Sequence, residues 1–229
     1  MEFTYSAYTM QQGNRFPLNS EFFYISHHDI PDLTKATRKL NVYYLHGFAS
    51  YFDSNKPKIK TLSKLGPVTG HNIDYTWPAN NVVSTTRDFI SKSEPDVIVG
   101  TSMGGWLAAT VGAQLRIPFT AINPAIDPSK SLRKHVGQGV DFQYCNYHLD
   151  EAAVNSYFPI ETRGCGLILL DADDEVMNSQ ATMDALDSHF QVEMFPGGNH
   201  RFSHLEESLP LIKELCDIAN LIYGLHDDD

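Results

Sequence analysis

Residues 96–115, DVIVGTSMGGWLAATVGAQL, constrain this chain more than any other stretch, because an apolar β-rich run passes through Gly100-Thr101-Ser102-Met103-Gly104 straight into an apolar, helix-forming run. A G-x-S-x-G sequence between a strand and a helix holds its serine on a sharp, strained turn and projects the hydroxyl out of the sheet. Side chains two residues either side would collide with the adjoining strand and helix. Gly100 and Gly104 leave the required room, and Gly105 extends it. The helix start adds unpaired N–H groups and the positive end of a dipole, which suit a developing oxyanion. Ser102 is therefore the candidate nucleophile, and the competing reading is a glycine-rich turn of no catalytic use.

A serine needs a base, and the base an orienting acid. Both follow in the chain, each after a strand-like run. The run 167–170 (LILL) leads into Asp171-Ala172-Asp173-Asp174-Glu175-Val176, and the run 191–195 (QVEMF) leads into Pro196-Gly197-Gly198-Asn199-His200. Open α/β sheets build their sites at the carboxyl ends of strands, and Ser, Asp, His is the chain order of α/β-hydrolases. The two glycines let the second loop carry His200 toward Ser102. Among the acids Asp174 is preferred, because it lies a few residues past the strand end and Val176 is placed to anchor the loop in the core. Asp173 is second, and the acids left unused read as a solvated loop.

The second oxyanion donor in this architecture comes from the loop after an early strand. Tyr44-Leu45-His46-Gly47-Phe48 fits: Gly47 allows close approach, the Phe48 N–H joins that of Met103, and His46 braces the loop by hydrogen bonds. A β-turn with a chance histidine is the bland alternative. Of ten histidines, His27, His28, His71, His135, His148, His189 and His226 have no partner motif and read as structural or solvated. His204 stands four residues after His200, a helical spacing for two metal ligands. The preceding glycines favour a loop and no third ligand is marked, so no metal is read. Phe48, Tyr51, Phe52, Trp106, Tyr144 and Tyr147 are candidates to line a site, although such aromatics are more often core.

Around these motifs, short β-rich runs alternate with amphipathic ones, the pattern of βαβ units in a parallel sheet. Strands are expected at 41–45, 72–76, 96–99, 119–122, 167–170 and 191–195, and helices at 56–65, 82–91, 104–115, 178–188 and 208–222. The fold class is α/β: an α/β-hydrolase fold with a mostly parallel sheet and helices on both faces. Length suits one domain, residues 1–229, with a hydrolase core at 41–122 and 166–225. Residues 123–165, rich in proline, glycine and aromatics with a helix only at 150–157, form a cap-like excursion. Residues 1–40 form an N-terminal extension with one strand-like run at 22–25, and antiparallel edge strands, part of the acyl pocket and a partner-binding surface are its alternative readings. The last three aspartates read as a frayed end.

Composition removes other classes. Seventeen basic against 28 acidic residues give a formal charge of −11, which opposes binding to nucleic acid or to an acidic membrane surface. No basic leader, signal-like segment or long apolar stretch is present, and Cys145, Cys165 and Cys216 fit neither a disulfide framework nor a zinc site, so a soluble cytoplasmic protein is expected.

In YYLHGFAS with downstream Ser54 and Lys56, GTSMGGWLA, INPAI (122–126), LLDADDEV and GGNHRF, the chain resembles the small bacterial YqiA-like esterases of the α/β-hydrolase superfamily, over roughly residues 41–225. The resemblance implies esterase activity on short acyl esters, with Ser102 as nucleophile, His200 as base and Asp174 as acid, since the family's Gly-Asp-Glu-Val block falls on Asp173-Asp174-Glu175-Val176. Asp173 replaces the family's glycine, and residues 1–40 lie outside the match. The expected activity is thus carboxylic ester hydrolysis of a small-molecule acyl ester through an acyl-enzyme, without a cofactor. Thioester or amide hydrolysis by the same residues, and a non-catalytic binding protein on the same fold, are the alternatives. Oligomeric state leaves no mark in the sequence.

Overall fold

A computed structural model of the chain describes residues 3–4, 24–25 and 38–224. Its centre is built from strands that are buried along their whole length and mostly apolar: β3 (Val42–Leu45), β5 (Val97–Thr101), β6 (Phe119–Ile122) and β9 (Gly166–Asp171). A strand apolar on both sides has to be covered on both faces, as happens in a parallel sheet with crossover helices. With β4 (Val68–Gly70) and β10 (Gln191–Phe195) at the edges, these strands form a six-stranded, wholly parallel sheet in the order β10-β9-β6-β5-β3-β4.

One face carries α1 (Pro57–Leu62) and α7 (Leu205–Gly224), whose Ile59, Leu62, Leu209, Ile212 and Leu215 pack on Val42, Val97, Val99, Leu167 and Leu169 together with Cys165 and Cys216. The opposite face carries α2 (Ala79–Ser93), α3 (Met103–Leu115) and α6 (Ser179–Leu186), which pack on the alternate residues Tyr43, Leu45, Ile98, Ala121, Ile168 and Leu170. From β3 the chain moves outward to β4 and then returns to β5 on the other side, so the direction of travel switches between β3 and β5. Open α/β sheets bind ligands at the carboxyl ends of such a pair. Here those ends carry His46-Gly47-Phe48 and Ser102.

The α/β-hydrolase architecture is as expected, and particular boundaries differ. The run 72–76 is no strand, and β4 lies upstream at Val68–Gly70. Asp74 explains the difference, because its carboxylate accepts the Thr76 N–H (2.9 Å) and hydroxyl (2.6 Å) and turns the chain where a ladder would have to continue. Residues 123–165 hold more structure than one helix. After α4 (Pro128–Ser131) and a 3-10 turn at Arg133–His135 comes an antiparallel hairpin, β7 (Gly137–Val140) with β8 (Asn146–Leu149), followed by α5 (Glu151–Ser156). Near the N-terminus β1 (Phe3–Thr4) and β2 (Tyr24–Ile25) pair antiparallel, as a two-stranded sheet of their own. His27, His28, His226 and the final aspartates lie outside the described residues. Among the described residues no helix is long and apolar enough to cross a membrane.

Candidate active site

Ser102 ends the central strand at φ 57° and ψ −118°, a conformation that a non-glycine residue keeps only where its surroundings over-determine it, at a cost of about 1–3 kcal/mol. Backbone hydrogen bonds hold it, among them one from Trp106 N to the Ser102 carbonyl (3.3 Å). The Ser102 N–H donates to Ile122 O (2.9 Å), and the Ser102 carbonyl accepts from Gly105 N (2.9 Å) and Ala125 N (3.1 Å). The glycine spacing has the steric cause inferred for it: a Cβ on Gly100 would strike the Gly104 carbonyl, and one on Gly104 would strike that of Leu45.

The β3 loop reaches this turn closely enough that a Cβ on Gly47 would lie 3.3 Å from Ser102 Cβ. His46 shapes the loop and is buried. Its Nε2 accepts the Ile73 N–H (2.9 Å), which places the ring proton on Nδ1, and Nδ1–H donates to Gly47 O (2.8 Å). Burial, the largest influence, pushes the His46 pKa down to about 4 and keeps the ring neutral. The Tyr75 hydroxyl donates to His46 O (2.8 Å), and farther along Lys56 Nζ donates to Tyr51 O (2.7 Å) while lying over the Tyr51 ring. Among the described residues no acceptor is bonded to the N–H of Phe48 or of Met103, the two donors named for the oxyanion.

The aromatic candidates divide. Trp106 is core, with its Nε1–H donated to Phe158 O (2.9 Å). Phe48 is half-buried, 5.0 Å from the His135 ring and 5.2 Å from that of Tyr147 on the hairpin, and Phe142 N donates to Ala49 O (2.9 Å), so the hairpin flanks the loop after β3. Tyr144, at 91 % exposure, lines nothing.

His200 and Asp174 meet. Nδ1–H of His200 lies 2.8 Å from Asp174 Oδ2 and 3.0 Å from Oδ1, which leaves Nε2 as the basic nitrogen. The Asp174 side chain is fully buried and that of His200 is 20 % exposed. Burial works to raise the Asp174 pKa, but bonds from His200, Met177 and Val176 outweigh it and hold the carboxyl below its ordinary value. Asp173 is exposed and offers this histidine nothing. The anchoring assigned to Val176 is not found: its side chain is 42 % exposed, and its backbone N–H, bonded to Asp174 Oδ1 at 2.7 Å, does the fastening instead. The His200 N–H donates to Glu175 Oε2 (2.9 Å).

Three residues matter here that the sequence reading passed over or misjudged. Asp171 is not solvated; it is fully buried, and its carboxylate accepts Asn199 N (3.0 Å), Ser203 N (2.7 Å) and Nδ1–H of His204 (2.7 Å). Its signal was its phase, since it continues the inward alternation of Leu167 and Leu169. His204 therefore serves Asp171, and both histidines precede α7, so no helix face carries them as a pair. Asn123 ties the two halves of the site together: Nδ2 donates to Asn199 O (3.1 Å) and His200 O (3.3 Å), while its neighbour Ile122 holds the Ser102 N–H. It stands inside the INPAI block. Lys58, on α1, donates from Nζ to Thr101 Oγ1 (3.0 Å), and nothing in the sequence marked it.

The family model matching this chain, over residues 41–217, is that of UPF0227, an uncharacterised protein family. A UPF0227 protein of Vibrio vulnificus is 22 % identical over 178 residues, spanning 75 % of this chain and 96 % of the relative. One from Shewanella sp. strain MR-4 is 23 % identical over 180 residues, spanning 75 % and 97 %. Among solved structures, Est1E from Butyrivibrio proteoclasticus with ferulic acid bound superposes with TM-score 0.57 at 16 % identity, covering 84 % of this chain and 92 % of that one. A monoacylglycerol lipase from Paleococcus ferrophilus gives TM-score 0.57 at 14 % identity, covering 78 % and 94 %. At these identities the structural likeness shows a shared fold, that of the α/β-hydrolases.

Proposed function

This chain belongs to the UPF0227 family, and from that membership and the geometry around Ser102 we propose that it is a serine hydrolase cleaving small acyl esters through an acyl-enzyme. The observation that carries the reading is the strained Ser102 at the crest of the central strand, together with a histidine whose Nδ1 is engaged by a buried carboxylate and whose carbonyl is held by Asn123, next to the Ile122 that holds the Ser102 N–H. His200 Nε2 takes the Ser102 proton as Oγ attacks the ester carbonyl. Asp174 keeps the proton on Nδ1 and stabilises the imidazolium that results. The N–H groups of Phe48 and Met103 receive the charge that develops on the carbonyl oxygen, as helix-start and loop amides do in oxyanion holes. His200 then protonates the leaving alkoxide, and water repeats the sequence on the acyl-enzyme. No cofactor enters any step. The monoacylglycerol lipase among the structural neighbours supports ester hydrolysis, and Phe48 with Tyr147 offers a modest apolar wall suited to a short acyl chain.

Treatment with a fluorophosphonate, together with turnover of p-nitrophenyl acetate and butyrate and of their thioester and amide analogues, tests this. The expected result is one covalent adduct on Ser102, mapped by mass spectrometry, with the esters turned over fastest. Ser102→Ala should lose the adduct and at least about 10⁴-fold in kcat. A wild-type protein that is neither labelled nor active on any of these substrates overturns the proposal in favour of a binding protein.

A further inference from the structure

The segment at the end of β6, residues 122–125, takes hold of the nucleophile on both sides of its backbone. Ile122 O accepts the Ser102 N–H (2.9 Å), and Ala125 N–H donates to the Ser102 carbonyl (3.1 Å). Between these two contacts stands Asn123, 1 % exposed, whose side chain reaches the loop that carries His200. Its Nδ2 donates to Asn199 O (3.1 Å) and His200 O (3.3 Å), while its Oδ1 accepts the Asp171 N–H (2.9 Å). The partners fix which way the amide faces, since two carbonyls need a donor and an N–H needs an acceptor. Asp171 completes the grip on the same loop, because its carboxylate takes the N–H groups of Asn199 and Ser203. The base's loop is thus held by its carbonyls through Asn123 and by its amides through Asp171, and the two holders are bonded to each other.

We propose that Asn123 is a positioning residue for the hydrolysis, its carboxamide being the bridge that fixes how far His200 stands from Ser102. The segment that bears it holds the Ser102 N–H and carbonyl, and the carboxamide holds the His200 carbonyl, so one short side chain spans nucleophile and base. The hydrolase reading is the premise of this role, while the bridge itself can be measured without turnover. No other side chain of this size does both jobs. An aspartate lacks the donors, a serine or threonine offers a single hydroxyl, and a leucine of the same shape would leave three buried backbone groups unpaired. The backbone adds a second demand. Asn123 has φ 42°, in the left-handed region that asparagine tolerates better than most side chains, and such a position persists where the surroundings over-determine it. A misplacement of about 1 Å between reacting groups costs on the order of 10²-fold in rate, so a bridge of this kind has a catalytic consequence out of proportion to its size.

The test uses Asn123→Asp and Asn123→Gly in the full chain. Asn123→Asp keeps the shape and the acceptor for the Asp171 N–H but loses both donors, whereas Asn123→Gly removes the whole carboxamide and suits the positive φ. Amide hydrogen exchange is read at Asp171 and Asn199, with the α7 core as internal control, and kcat and KM on the best ester are measured well below the melting temperature. Exchange at Asn199 should rise about tenfold in both variants with α7 unchanged, while exchange at Asp171 should rise in Asn123→Gly alone. Both variants should lose about 10²-fold in kcat with KM within about threefold of wild type, and fluorophosphonate labelling of Ser102 should slow in parallel. Asn123→Gly keeps the test decisive where the buried carboxylate of Asn123→Asp prevents folding. A kcat within about threefold of wild type in Asn123→Gly would overturn the proposal. A fall in Tm alone, or kcat and KM changing together with faster exchange throughout α7, would leave Asn123 a purely structural role and overturn it likewise. A wild type neither labelled nor active overturns the hydrolase reading and the catalytic role that rests on it, while unchanged exchange at Asn199 in the variants overturns the bridge itself.

Discussion

Asp174 and Asp173 are adjacent and chemically identical, yet their surroundings assign them opposite fates. The Asp174 carboxylate is buried against His200 and accepts two backbone N–H groups, whereas Asp173 points to water. Asp174→Asn keeps the shape but presents an amide that stabilises the wrong imidazole tautomer, so kcat should fall by about 10³–10⁴-fold. Asp173→Asn should stay within about threefold of wild type, a contrast that steady-state kinetics on one ester reads directly. A reversal between the two would move the acid by one residue. The pairing of Asp174 with His200 agrees with its offset past the strand, whereas the anchoring expected of Val176 is absent, since a residue 42 % exposed anchors nothing. Lys58 was illegible for a physical reason. Its bond to Thr101 Oγ1 joins α1 to the end of β5, segments far apart in sequence that no local pattern brings together.

The loop between β10 and α7 carries His200, and two glycines set its course. Gly197 and Gly198 both have positive φ, 73° and 82°, but they face different neighbours. A Cβ on Gly197 meets open space, while one on Gly198 would collide with the Asp171 carboxylate that anchors the loop. Gly197→Ala should therefore cost only the backbone strain, about 1 kcal/mol, with kcat little changed. Gly198→Ala should displace the loop and lower both Tm and kcat, the latter at least tenfold, and paired melting and kinetic measurements on the two variants separate strain from collision. Elements with a single strong pattern were legible in the same way that this loop was. The runs 119–122 and 191–195 coincide with β6 and β10: β6 is buried at every position, while the edge strand β10 alternates polar Gln191 and Glu193 with Val192 and Met194, which pack on the core. Residues 72–76 deceived because isoleucine, tyrosine and threonine carry high strand propensity, while Asp74, one of them, caps a turn and Tyr75 spends its hydroxyl on His46 O. The β7 and β8 hairpin went unseen because GQGV and NYHL are short, polar and half-exposed, with too little alternation to register.

Across the molecule the buried ionisable groups define a stability profile against pH. His46 is neutral in the folded protein down to about 4, whereas an unfolded histidine protonates near 6.5, so between those values the unfolded chain binds more protons. The His46 contribution is complete above about 6.5 and drains away as pH falls toward 4, amounting to about 3 kcal/mol for this fully buried ring. His71, half-buried, acts in the same direction with a smaller effect. Lys58 extends the rise beyond neutrality, because a lysine neutral above about 7 in the fold is still protonated when unfolded up to 10.5. Buried Cys165 and the tyrosines Tyr43, Tyr44 and Tyr223, all pushed up to about 12, work oppositely. The fold keeps their protons where the unfolded chain has released them, so stability falls again as pH climbs past the ordinary values of 9 and 10. The maximum should thus sit on the alkaline side of neutrality, at about pH 8–9, above the range in which maximal stability usually falls. Urea unfolding at intervals from pH 4 to 10 reads the profile. In His46→Gln the slope between pH 6.5 and 4 should fall by about half while the alkaline limb stays in place, whatever the variant's absolute stability at pH 7. An unchanged acid slope would mean that the neutral imidazole bridging Gly47 and Ile73 is not what the acid limb titrates.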